Sequence, residues 1–254
     1  MYRSGIFREM PELPGTSASS SSSHQDRGVG VLEHIPYNSN MIVPLVCIFI
    51  VFMLLCGAEL LARKQLVRGE ASRKLVHIVV GTFVALWPLL MSLEKIQFIS
   101  LAFVVVIVLS RQFRIFRSIH NTRRQIWGEL FFAASIGLLP LISSSRLVFV
   151  AAVLHMSLAD GLAGLIGTRY GSRSRFLMFG QPKSVLGSVT FAITSYAIVL
   201  GFFKASKLVG VNDLNAVVLA LPLLATFLET ASVKGSDNIL VPIIVGIVLQ
   251  STLP

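Results

Sequence analysis

Charge is what this chain has least of. Asp, Glu, Lys and Arg make up 13% of its 254 residues, where soluble domains carry about 25%, and mean hydropathy is +0.77. So little charge cannot clothe a water-facing surface, so a soluble domain is excluded and a multi-pass membrane protein is expected. Cysteine is scarcer still: Cys47 and Cys56 are the only two, both inside one apolar run, which excludes a disulfide framework or a thiolate metal site. An internal repeat of the kind that marks many transporters is also missing.

The first 40 residues lack any apolar period and carry SASSSSS at 17–23. They read as a disordered serine-rich tail (1–40) ahead of a membrane-embedded catalytic domain (41–254). The tail has no compact apolar core of a secretory signal, and Glu9, Glu12, Asp26 and Glu33 count against a transit peptide.

What the chain does have is apolar runs of roughly the 17 to 25 residues that cross a hydrocarbon core. Eight fall at about 41–61, 75–91, 96–110, 126–142, 146–168, 185–203, 213–229 and 237–253. The expected fold is all-α: a polytopic helical bundle of seven or eight transmembrane helices, eight preferred. The tight connection at 91–96 would let the second and third runs form a hairpin.

A net charge of +10 would point to nucleic acid in a soluble chain. Here the cations lie in loops, and no nucleic-acid partner is expected. Loops after the first, third, fifth and seventh spans hold fifteen Lys and Arg, against seven on the other side. By the positive-inside rule those odd-numbered loops face the cytoplasm and both termini face away.

Ionisable groups at membrane spans are expensive and mark function. Glu129 falls at the start of span 4, Asp160 near the end of span 5, Glu229 at the end of span 7, and Asp237 with Asn238 at the start of span 8. All are on the cation-rich face. Carboxylates beside Lys and Arg suit Mg²⁺ and phosphates. Gly161, Gly164, Gly167 and Gly171 follow Asp160 at helical spacing. That bare stripe either admits a nucleotide close to the backbone or packs against another helix. Lys183 and Ser184 open span 6, where helix-start amides favour an anion. His155 reads as structural, whereas His77, one turn after Arg73 and Lys74, is open to either role.

The ordered series RKLVH at 73–77, GEL at 128–130, ADGLAGLIGTRYG at 159–171, KSVLGS at 183–188, Glu229 and DNILVP at 237–242 resembles the CTP-dependent lipid kinases. These include dolichol, phytol and farnesol kinases and the fungal-type diacylglycerol kinase. The resemblance covers about 70–254 and implies transfer of the γ-phosphate of CTP to the hydroxyl of a membrane lipid alcohol. It associates Asp160, Gly161, Ala163, Gly167 and Gly171, and Lys183, Ser184, Gly187 and Ser188, with the nucleotide. It also carries over Asp237, Asn238 and Pro242, and Arg73, Lys74 and His77. Where the family often has a further acid beside the aspartate, this chain has Gly235-Ser236, which weakens the case for a second metal.

On this reading Asp160 and Asp237 are the Mg²⁺ ligands. Glu129 and Glu229 are further ligands or the base for the alcohol proton, and Lys183 and Arg73 hold phosphates. Gly128-Glu129-Leu130 leans the substrate toward isoprenoid alcohols over diacylglycerol. The endoplasmic reticulum is the first compartment expected, with a plastid envelope or bacterial inner membrane also compatible and the active site facing the cytoplasm. The alternatives are a phosphatidate cytidylyltransferase, whose Lys-Asp and His-Gly-Gly features are not seen, and a non-enzymatic membrane protein or transporter.

Overall fold

A computed structural model describes residues 41–65, 69–113, 125–208 and 214–253. The 1–40 tail and most of the basic stretch after the third span therefore lie outside the described residues. Helices run α1 Ile42–Arg63, α2 Glu70–Ala85, α3 Leu93–Phe113, α4 Gln125–Ile142, α5 Arg146–Leu154, α6 Asp160–Tyr170, α7 Val185–Ala205, α8 Leu214–Ala231 and α9 Asp237–Gln250. A π turn, His155–Ala159, joins α5 to α6 without a break, so the described residues form eight helical rods, one for each apolar run. The all-α expectation holds with one addition, an antiparallel hairpin of β1 Arg175–Met178 and β2 Gln181–Ser184 between α6 and α7.

Among the described residues, three rods are long and apolar enough to cross a membrane: Ile42–Arg63, Arg146–Ser174 and Val185–Ala205. Trp127–Ile142, Ala216–Ala231 and Asp237–Gln250 are shorter apolar helices. Such helices fit a membrane protein.

The apolar character of each rod decides its place. A helix that is apolar all round belongs inside, and α5 buries Leu147, Val148, Phe149, Ala151, Ala152 and Val153 against α2, α7 and α9. At the periphery, α1 buries only Pro44, Cys47 and Val51. The connection after α2 is tight, with a 3₁₀ turn at Trp87–Leu89. The second and third spans do not pair as a hairpin, however, because α3 packs on α4 while α2 packs on α1, α5 and α6.

The π turn matters for position. It carries the Met156 carbonyl, which accepts from His77 Nε2 at 2.8 Å, and π turns in helices are frequent at functional sites. His155 is structural, as expected: Nδ1 donates to the Ala151 carbonyl (2.7 Å), which leaves Nε2 to accept from Ser195 Oγ (2.8 Å), tying α5 to α7.

The glycine stripe divides, and Gly161 packs helices. A Cβ on Gly161 would come within 2.2 Å of Ile78 Cγ1, and one on Gly81 within 2.2 Å of Ser157 Cβ, so α2 crosses α6 and the π turn before it at two bare points. Gly161→Ala is therefore expected to cost about 1 to 3 kcal/mol by overpacking. Adding Ile78→Ala should return part of the loss; thermal unfolding in detergent checks both, and an unchanged midpoint for the single variant would contradict the packing.

Candidate active site

Five elements converge on a cavity of about 640 Å³ lined by α2, α6, the hairpin, the start of α7, and the turn between α8 and α9. At its floor lie Asp160, Glu229 and Asp237, each offering one carboxylate oxygen within 4.8 Å of those of the other two. Asp160 and Glu229 are buried and Asp237 is half-buried.

Asp160 is placed differently from the sequence expectation. The rod that holds it runs from Arg146 to Ser174, so Asp160 sits near its middle, about 15 Å along the axis from Tyr170 at 1.5 Å per residue. Glu229 and Asp237 are at helix ends, at the C-terminus of α8 and the N-terminus of α9. The second half of α6 therefore projects beyond those ends and, with the hairpin, forms one wall of the cavity.

Lysines from two different elements meet the acids. Lys74, from the first turns of α2, contacts both oxygens of Asp160 at 2.7 and 2.6 Å. Gly164 leaves the lane it needs, since a Cβ there would come within 2.5 Å of Lys74 Cε. Lys183 of β2 donates to the Glu229 carbonyl at 2.7 Å and to its Oε1. A short relay fixes the other side of Glu229: Thr230 donates to Oε2 at 3.3 Å, and Ser188 bonds Thr230 at 3.1 Å. Three carboxylates against two ammonium groups leave one negative charge unbalanced. His77 Nε2 is 3.6 Å from Asp160.

The remaining expected residues divide. Arg73 lines the cavity paired with Glu70, Nε donating at 3.2 Å. Ser184 lines it too, but its Oγ caps α7 by accepting from Gly187 N at 3.1 Å, so that helix-start amide is already engaged. Gly167 and Gly187 line the cavity and let α6 and α7 close on each other, a Cβ on Gly167 falling 3.2 Å from Gly187 Cα. Gly161 and Gly171 are outside the lining, packed on Ile78 and Ser184. Glu129 is exposed and does not join the acids. The working part of Gly128-Glu129-Leu130 is instead Gly128, whose carbonyl accepts from Asn238 Nδ2 at 3.0 Å. Sequence reasoning missed Glu70, Thr168, Gln181 and Ser232, and counted Arg175 and Lys234 only as topology signals; all line the cavity. Their signal was adjacency to the motifs.

Gly235, the first residue of the Gly235-Ser236 departure, has a physical reason. Gly235 has φ +86°, and a Cβ on it would lie 2.7 Å from Gly128 Cα and 3.0 Å from Gly128 N. Only glycine fits, which presses the 233–236 turn onto α4 and sets the entry of Asp237 into α9.

The donor set suits a hard divalent cation. Oxygens sharing one Mg²⁺ at about 2.1 Å lie no more than about 4.2 Å apart, so the three acids need close only slightly. Asn238 supplies an independent sign. Its amide nitrogen is committed to Gly128, and its Oδ1 is buried with no hydrogen-bond partner, a state that costs free energy unless a cation or donor fills it.

Comparisons with known proteins agree on one kind of relative. A phytol kinase of Synechocystis sp. is 36% identical over 191 residues, covering 73% of this chain and 81% of that protein. A protein of Oryza sativa subsp. japonica named "Probable phytol kinase 1, chloroplastic" is 26% identical over 212 residues, 72% of this chain and 64% of it. One of Glycine max named "Probable phytol kinase 3, chloroplastic" is 24% identical over 233 residues, 84% of this chain and 72% of it. No family model matches the chain, and no solved structure does.

Proposed function

The chain belongs to the polyprenol and phytol kinase family, and from that premise we propose that it is an integral membrane kinase moving the γ-phosphate of CTP to the hydroxyl of a membrane lipid alcohol. An isoprenoid alcohol of the phytol, farnesol or dolichol type is the favoured acceptor, and the relatives' names support phytol. The observation that carries the reading is the trio Asp160, Glu229 and Asp237 facing Lys74 and Lys183 in one cavity.

Asp160 and Asp237 would hold Mg²⁺, with the orphaned Asn238 Oδ1 available as a further oxygen. An ion held there would offset phosphate charge. Phosphoryl transfer asks a protein mainly for positioning and charge, and this chain's side chains are arranged for both. Lys74 and Lys183 exchange a carboxylate for phosphate oxygens as the nucleotide enters. Arg73, Arg175 and Lys234 line the cavity and add positive charge there. The alcohol oxygen attacks the γ-phosphorus, the bond to the β-phosphate oxygen breaks, CDP leaves, and Glu229 accepts the alcohol proton. Glu129 has no part in this scheme.

Eight spans with the cavity on the cation-rich, cytoplasmic face would let an alcohol present its hydroxyl while its tail stays in lipid. Exposed Phe98, Leu141, Ile193 and Leu223 support lipid-facing sides on α3, α4, α7 and α8. The named relatives lend weight to a plastid envelope or bacterial inner membrane over the endoplasmic reticulum.

Product analysis tests the reaction class. With Mg²⁺ and CTP the protein should release CDP, and CTP should outcompete ATP; chelating the metal should stop the reaction. Pyrophosphate released with phosphatidate as acceptor would replace this reading by a cytidylyltransferase.

A further inference from the structure

The β1–β2 hairpin has a base on the cavity and a tip outside it. The half-buried Gln181 and Lys183 line the cavity, the latter held by Glu229. Leu177 and Phe179 are outside that lining, 75% and 71% exposed. The two-residue turn Phe179-Gly180 has positive φ at both positions, +47° and +75°. Such turns favour Asn or Asp before Gly, and a bulky ring in that conformation is strained. In water this strained, uncovered ring gains nothing.

The surroundings indicate what covers it. Arg169 and Arg173 are exposed beside the hairpin, and no acid falls between Asp160 and Asp213 in the sequence. The Arg169 guanidinium lies 5.5 Å over the exposed Tyr170 ring. Aromatic side chains collect at membrane boundaries, and clustered basic groups there attract anionic lipids. The strand leads directly into α7, which exposes Val185, Val189 and Ile193 from its first turn onward. The apolar outer face therefore begins where the hairpin ends.

We propose that the hairpin is a membrane-interface anchor whose tip, Leu177 and Phe179, inserts among anionic lipid headgroups beside the cavity. The proposal rests on the chain being embedded in a bilayer. Because β2 also carries Lys183, anchoring the tip fixes a phosphate-binding side chain at the depth where a lipid alcohol offers its hydroxyl.

A spin-label measurement on the full chain tests this. The protein, with Cys47→Ala and Cys56→Ala, is reconstituted in vesicles of phosphatidylcholine with phosphatidylglycerol, with a nitroxide on Phe179→Cys. A label on Ile193→Cys marks the lipid-facing side, and Leu177→Cys serves if Phe179→Cys does not fold. The label at 179 should collide more with oxygen than with a water-soluble nickel chelate. That preference should weaken with Arg169→Gln and Arg173→Gln, or in phosphatidylcholine alone. Free access of the chelate to 179, with 193 still oxygen-accessible, would overturn the anchor and leave the bilayer reading intact. Protection of 179 from both reagents would overturn it in favour of a protein partner. Chelate access at both positions would overturn the bilayer reading and the anchor together.

Discussion

Asp160→Asn should cut lipid-alcohol phosphorylation by about a thousandfold or more, the scale on which preorganised charge at a transferring group acts. The same change has a structural cost, because it strands Lys74. That side chain is 12% exposed and its ammonium group lies on both Asp160 oxygens, and removing one partner of a buried pair costs about 3 to 5 kcal/mol. Activity lost through misfolding would say nothing about chemistry, so the informative protein is the double variant, Asp160→Asn with Lys74→Met. It takes away charge and counter-charge together, and should recover most of the unfolding midpoint while staying inactive. Kinase activity in folded Asp160→Asn would remove Asp160 from the mechanism. A double variant no more stable than the single one would show that the pair is not the structural tie described.

Gly235→Ala should be the most damaging single methyl in the chain. Its backbone is in the left-handed region, and the added carbon would meet Gly128 backbone atoms at 2.7 and 3.0 Å. Backbone cannot swing aside as the end of a side chain can. Conformational strain and overpacking together should cost about 2 to 4 kcal/mol. Relief comes only by lifting the 233–236 turn off α4, which moves Asp237 and pulls Asn238 from the Gly128 carbonyl. Activity should therefore fall at least about tenfold, a loss in positioning of the kind misplacement produces, with a weaker response to Mg²⁺. Gly201→Ala is the matched control, since nothing lies within 4 Å of a Cβ there, and it should leave both stability and activity near the parent. Equal behaviour of the two variants would contradict the close approach of Gly128 and Gly235.

The rods were legible because crossing a hydrocarbon core demands length and apolarity, and both are written locally. Asp160, Glu229 and Asp237 were legible for the converse reason, that a carboxylate in apolar sequence is costly and stands out. Partnership was not legible. Lys74 reaches Asp160 across 86 residues and Lys183 reaches Glu229 across 46, whereas the sequence reading assigned both lysines to the nucleotide and neither to an acid. Asp160 was expected near the end of a run at 146–168, but the rod continues to Ser174, so it falls near the middle of that rod while lying beside Glu229 and Asp237 at the ends of α8 and α9. The hairpin was hidden by its turn, Phe179-Gly180, which lacks the usual Asn or Asp, and by Pro182, which weakens a strand reading. Glu129 looked like a fourth acid of the group on sidedness alone. Sidedness fixes height, whereas the face of α4 on which a residue lands depends on packing, and Gly128, not Glu129, points at α9.

The most direct test follows labelled phosphate into lipid. Wild-type protein in vesicles containing phytol, supplied with Mg²⁺ and γ-labelled CTP, should move label into the lipid phase, and the Asp160→Asn, Lys74→Met protein should not. Label in the lipid from the variant at the wild-type rate, or none from the wild type with any isoprenoid alcohol, would contradict a kinase working from this cavity.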